Sequence, residues 1–152
     1  MMSQMRRIVT GIGPDGRSCI VQIGEAPVVA RVEGENGFEI SLTDLWRTKP
    51  PATLDAPPPQ LTPSGVDLET PPGASRWMVV EFAPGRYSPM HSTPTVDYDF
   101  LVSGELVLEL EDGEIALLPG DAVVIPGVAH AWRTHEQGAV LLVALIGTIP
   151  QA

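Results

Sequence analysis

Residues 85–104 read GRYSPMHSTPTVDYDFLVSG, and residues 119–135 read PGDAVVIPGVAHAWRTH. In an extended chain successive side chains point to opposite faces, so His91, Thr93, Thr95, Asp97, Asp99 and Leu101 share one face of the first stretch. Ser92, Val96, Tyr98 and Phe100 share the other. Pro89 and Pro94 interrupt the start of the segment, and the alternation is regular from Thr95 onward. A face carrying His, Thr, Thr, Asp and Asp either meets solvent or lines a polar cavity. In the second stretch a Gly-Asp turn leads into a short apolar strand, then Pro-Gly, then His130 at the head of the next strand. Strands remote in sequence meet inside a small barrel, which would allow a histidine near position 91 and one near 130 to share a metal.

Around these stretches the pattern is β throughout. From Arg76 to Ile149 short apolar runs (WMVVEF, VDYDFLV, ELVLELE, EIALL, AVVIP, HAWRT, AVLLVALIG) are separated by turn sequences rich in glycine and proline. Runs at this spacing predict an all-β sandwich or barrel. Residues 6–45 hold further β-like runs, and Asp15-Gly16 between two of them reads as a hairpin turn. SLTDLW, at 41–46, is read as the start of a short helical turn. Eight of the sixteen prolines fall in residues 49–72, which excludes a helix or central strand there. This stretch is expected to be a loop or arm over the barrel or a partner subunit. The expected organisation is one domain, with residues 1–75 as N-terminal strands and arm and residues 76–150 as the barrel.

Composition narrows the function classes. The chain has 152 residues, enough for one domain with its own core. A net charge of −10 repels nucleic acid and anionic lipid, so neither is an expected partner. The N-terminal MMSQMRRIVTGIG lacks the apolar run of a signal peptide. AVLLVALIG is too short to span a bilayer. A single cysteine, Cys19, read as an ordinary apolar residue, suits a reducing compartment, and the expected location is the cytoplasm.

The two stretches resemble the two motifs of the cupin superfamily. The first motif is G-x5-H-x-H-x3,4-E-x6-G. Here Gly85, His91 and Gly104 stand at their places, Asp97 replaces the glutamate and Thr93 replaces the second histidine. The second motif is G-x5-P-x-G-x2-H-x3-N. Here Gly120, Pro126 and His130 match, Gly127 sits one residue tighter than usual, and Thr134 takes the asparagine position. The resemblance implies an all-β fold, the jelly-roll double-stranded β-helix, and often a metal held by three histidines and a glutamate. Transferred residue by residue, it implies metal ligation by His91, Asp97 and His130. One divalent transition metal (Fe, Zn, Mn or Ni) is the implied cofactor. Asp97 is read either as a ligand or as an acceptor paired with Arg86 or Arg133. Asp97 and Tyr98 are the catalytic candidates, and Thr93, Thr95, Asp99 and Trp132 are the pocket candidates. His135, beside Glu136, is read as a surface residue.

The segments TVDYDFLVSGELVLELEDGE and HAW also resemble a subgroup of small bacterial and fungal cupins, some of them similar to accessory enzymes of secondary metabolism. The expected function is a metal-dependent enzyme on a small carbonyl or polyketide-like substrate, working as a lyase or dehydratase or as a dioxygenase. The alternative is a non-catalytic small-molecule binder. A homodimer is expected, because cupins frequently pair. A structural role for the proline-rich arm is the third reading.

Overall fold

The computed structural model describes residues 6–26, 28–35, 37–53 and 69–149. Among them are twelve strands: β1 (Arg6–Ile12), β2 (Ser18–Glu25), β3 (Val28–Gly34), β4 (Gly37–Thr48), β5 (Ser75–Phe82), β6 (Tyr87–His91), β7 (Thr95–Gly104), β8 (Leu106–Leu110), β9 (Gly113–Leu117), β10 (Ala122–Pro126), β11 (His130–Arg133) and β12 (Ala139–Gly147). Every pairing is antiparallel. A six-stranded sheet runs β10-β7-β12-β5-β4-β3, and a four-stranded sheet runs β6-β11-β8-β9. Together they form the two walls of a jelly roll, the fold the resemblance implies and one of the all-β class the strand spacing predicts.

β12 shows why the walls close. In AVLLVALIG, Ala139, Leu141, Val143 and Leu145 are buried while Val140, Leu142 and Ala144 are half-buried. The strand is apolar on both faces because both are covered to some degree. Its inner face joins Leu42, Met78, Val80, Phe82, Leu101 and Trp132 in one core between the sheets. Its outer face meets a smaller cluster of Ala26, Leu45 and Val79. Each fully buried aliphatic side chain contributes about 1.5–3 kcal/mol through removal of apolar surface from water.

Of the N-terminal strands, β3 and β4 join the six-stranded sheet, while β1 and β2 form a two-stranded sheet of their own. The Asp15-Gly16 turn closes the predicted hairpin, with β1 paired to β2. SLTDLW is extended, contrary to the helical expectation. It lies in β4, whose backbone is bonded to β3 on one side and to β5 on the other, and sheet pairing outweighs a six-residue local preference. Asp44 within it is fully buried, and it is held by Arg76 at 2.8 Å and by Arg47. Of the proline-rich stretch, residues 49–53 and 69–72 hold no helix or strand, and residues 54–68 lie outside the described residues. Cys19 is exposed rather than packed.

Two motif glycines serve the backbone. Gly104 has φ +86°, and a Cβ built there would stand 1.9 Å from the Gly138 carbonyl oxygen. Gly127 has φ +68° at the turn before β11. Gly104→Ala is therefore expected to lower stability by at least about 2 kcal/mol. Gly113→Ala, which meets nothing within 4 Å, should stay within about 0.5 kcal/mol. Urea unfolding of the two variants checks this, and equal effects would contradict the assigned role of Gly104.

Candidate functional site

The register of β6 and β11 sets His91 directly opposite His130. Their imidazole centroids are 4.4 Å apart with the rings tilted by 55°. An irregularity between His130 and Trp132 shifts the pairing. Such bulges re-aim side chains near functional sites. Trp132 stands edge-on to His130 at 5.8 Å. Each ring has its Nδ1 against a carbonyl two residues earlier, Pro89 O at 2.8 Å for His91 and Val128 O at 2.9 Å for His130. A carbonyl only accepts, so Nδ1 carries a proton in both rings, and Nε2 is the nitrogen left to bind a metal. Burial pushes the His130 pKa down, which favours its neutral form.

Both rings line a cavity of about 330 Å³ between the sheets. Its walls are mostly apolar, with Ile40, Leu42, Met78, Val80, Leu141, Val143 and Trp132 among them. Its polar groups include Ser88, Thr93, Asp97 and Asp99. The size and mix suit a small-molecule site. On β7 the buried residues are Thr95, Asp97, Asp99 and Leu101, so the polar face predicted from the alternation turns inward.

The two carboxyls differ in surroundings. Asp97, 6% exposed, accepts the Thr95 hydroxyl at 2.5 Å, and Thr95 in turn lies 2.8 Å from the Thr93 hydroxyl. Burial raises the Asp97 pKa, while the Thr95 hydrogen bond and the two nearby imidazoles oppose the rise. Asp99, 5% exposed, has its Oδ1 buried without a hydrogen-bond partner. Burial, and then the charge of Asp97, push its pKa up to about 8. Two carboxyls whose environments separate them in this way form a common acid–base arrangement.

The structure brings His91, His130, Thr93, Asp97, Asp99 and Trp132 to one cavity. Tyr98 is not there. It is 50% exposed on the outer face of β7, because strand alternation places it opposite both aspartates. A catalytic role for Tyr98 in this cavity is thereby removed. Thr95 does not line the cavity itself and touches it through Asp97 and Thr93. The alternative ion pairs of Asp97 are not formed: Arg86 binds Glu39 at 2.6 Å, and Arg133 binds Glu114 at 2.8 Å and Glu109 at 3.3 Å. Thr134, at the motif's asparagine position, donates to Ala83 O and accepts from Arg86 N, tying the end of β11 to the β5–β6 connection. His135 is exposed. Ile40 and Leu42 on β4 are wall residues that the motifs do not reveal. Their shared parity in GFEISL is the signal that marks them.

As a metal site, the residues fit in part. Two imidazoles, each anchored through Nδ1 to a carbonyl and leaving Nε2 for the ion, are the usual form of histidine ligands. Among the described residues, no group of three His, Cys, Asp or Glu side chains that could hold an ion is assembled. The pair therefore supplies two nitrogen donors, and Asp97 is the carboxylate whose charge both rings feel.

Comparison with known proteins agrees with this architecture. The Cupin domain family model matches residues 78–146. Phomopsin biosynthesis cluster protein C' of Diaporthe leptostromiformis is 39% identical over 79 residues, 51% of this chain and 40% of that protein. A cupin-domain-containing oxidoreductase of Hypocrea virens is 38% identical over 56 residues, 36% of this chain and 29% of that protein. The chain thus spans less than half the length of these curated relatives. Among solved structures, DMSP lyase DddQ of Ruegeria pomeroyi superposes with a TM-score of 0.53 at 25% identity, covering 75% of this chain and 50% of that one.

The raised pKa of Asp99 has a defined consequence. The folded state holds the proton that the unfolded chain releases near the ordinary value of 3.8. The associated stability is full below that value and is lost as pH rises toward about 8. Asp99→Asn keeps the shape without the titration. Relative to wild type, it should gain on the order of 4 kcal/mol in unfolding free energy between pH 5 and pH 8. A difference between the two proteins that does not change over this range contradicts the assignment.

Proposed function

On the premise that residues 78–146 belong to the Cupin domain family, we propose that the chain is an enzyme acting on a small, largely apolar organic molecule. The proposed reaction is metal-assisted proton transfer of the lyase or dehydratase kind on a carbonyl or polyketide-like compound. The observation that carries this reading is the facing pair His91 and His130, with both tautomers fixed, over a cavity that holds two buried carboxyls. His91 and His130 would hold the ion (Fe, Zn, Mn or Ni). When bound, it supplies a Lewis acid that polarises a substrate oxygen. The chain's own residues do the rest. The walls of Met78, Val80, Leu141 and Val143 exclude water. Asp97, aligned by the Thr95 hydroxyl, accepts a proton, and Asp99 holds one at its buried carboxyl. The oxidoreductase name of the Hypocrea virens relative favours a redox reaction as the other class for the same site, with dioxygenation as the form we propose.

A non-catalytic binder is the second reading, favoured by Thr93 at the place of the motif's second imidazole. The reading as an enzyme extends to a homodimer. Tyr98, Phe100, Val102 and Val124 leave an apolar patch on the outer face of β7 and β10, and such patches mark interaction surfaces.

Metal analysis by mass spectrometry tests the enzyme reading. After supplementation, wild type is expected to carry about one ion per chain and the His91→Ala/His130→Ala double variant none. Equal metal content in the two would contradict it, and retained binding of small molecules by both would favour the binder. Sedimentation tests the assembly: a dimer is expected for wild type and a weakened one for Phe100→Glu, whereas a wild-type monomer would contradict it.

A further inference from the structure

The polar end of the cavity is one-sided in its chemistry. Asp97 and Asp99 are two residues apart on the same face of β7, and both line the cavity. Among the described residues no lysine or arginine lines it. Arg86 and Arg133, the arginines closest in sequence to the histidines, are engaged with Glu39 and with Glu109 and Glu114. Asp44, another buried carboxylate, shows how this fold treats an acid it needs only for structure. It lies against Arg76 and Arg47 and does not face the cavity. Asp99 has no such partner for its Oδ1, which is buried and unbonded.

An unbonded buried carboxyl oxygen is a costly feature in an empty site and a useful one in an occupied site. Two carboxyls present four oxygens. Even with one of them protonated they offer more acceptors than donors. A ligand group that donates hydrogen bonds satisfies the orphaned oxygen. A ligand carboxylate meets the Asp97 carboxylate and the acceptor oxygens of Asp99 in a mostly apolar cavity, and among the described residues it finds no arginine or lysine there. The net charge of −10 acts in the same sense over a longer range.

We infer that the cavity takes a small molecule with an apolar body and a hydrogen-bond-donating polar end (a hydroxyl, amide N–H or amine) seated against Asp97 and Asp99, and that it rejects carboxylates. This rests on the reading of the cavity as a small-molecule site and narrows its ligand class. The apolar body lies among Met78, Val80, Leu141 and Val143, and the donating group reaches the floor of β7. The acceptor oxygen of Asp99 is the specificity determinant.

Four probes of the same size separate the possibilities: phenethylamine, phenethyl alcohol, phenylacetate and ethylbenzene. Each is titrated into the full chain at neutral pH with a chelator present, because a bound cation would itself attract a carboxylate, and binding is read from amide chemical shifts of cavity residues. The amine and the alcohol are expected to bind at least about tenfold tighter than phenylacetate and tighter than ethylbenzene. Asp99→Asn should bring the amine close to the alcohol. The wild-type ranking alone decides the matter if that variant does not fold. Phenylacetate binding as tightly as the alcohol overturns the inference, as does an ethylbenzene affinity equal to the others or binding of none of the four. Metal uptake by His91 and His130 is measured separately, so failure here is distinguishable from failure of the enzyme reading.

Discussion

Burial of the acidic face of β7 is the constraint on which the rest of the structure depends. A strand that turns Thr95, Asp97 and Asp99 inward and Tyr98, Phe100 and Val102 outward inverts the usual arrangement of a sheet. Removing carboxylates from water is expensive, and the chain answers differently at each one. Asp97 keeps a hydroxyl donor. Asp99 has none on its Oδ1 and is shifted toward its neutral form. The cost is carried by the apolar neighbours on both sides, since Asp97 is paired with Leu145 and Ile125, and Asp99 with Val143 and Val123. Those same neighbours create the low-polarity surroundings that raise the pKa values.

The opposing sheet supplies the nitrogen chemistry. His91 and His130 are 39 positions apart in the chain, and antiparallel pairing of β6 with β11 places them side by side. Backbone carbonyls two residues before each ring settle its tautomer without any other side chain. The cavity thus combines two imidazoles on one wall with a pair of carboxyls on the other. That combination suits proton transfer on a neutral or cationic molecule better than recognition of an anion.

Much of this is legible in the sequence, for physical reasons. Strand alternation places Asp97 and Asp99 together and sets Tyr98 apart, so the exclusion of Tyr98 from the site follows from parity. The glycine spacing marks the turns, because Gly104 and Gly127 occupy backbone conformations that other residues adopt only under strain. Less is legible where long-range pairing decides. SLTDLW is extended because β3 and β5 flank it, and no local pattern contains that information. The contribution of Ile40 and Leu42 to the cavity wall depends on the same pairing. The difference between Asp97 and Asp99 depends on the Thr95 hydroxyl and the two imidazoles beside Asp97, which alternation alone does not place.

The most direct test of this account is a carbon-detected NMR titration of the side-chain carboxyls of Asp97 and Asp99 in the full chain. The account predicts that Asp99 titrates near pH 8, well above the ordinary carboxyl range and above Asp97. Titration of both carboxyls near the ordinary value of 3.8 would show that β7 does not bury its acidic face, and the acid–base reading of the cavity would fall with it.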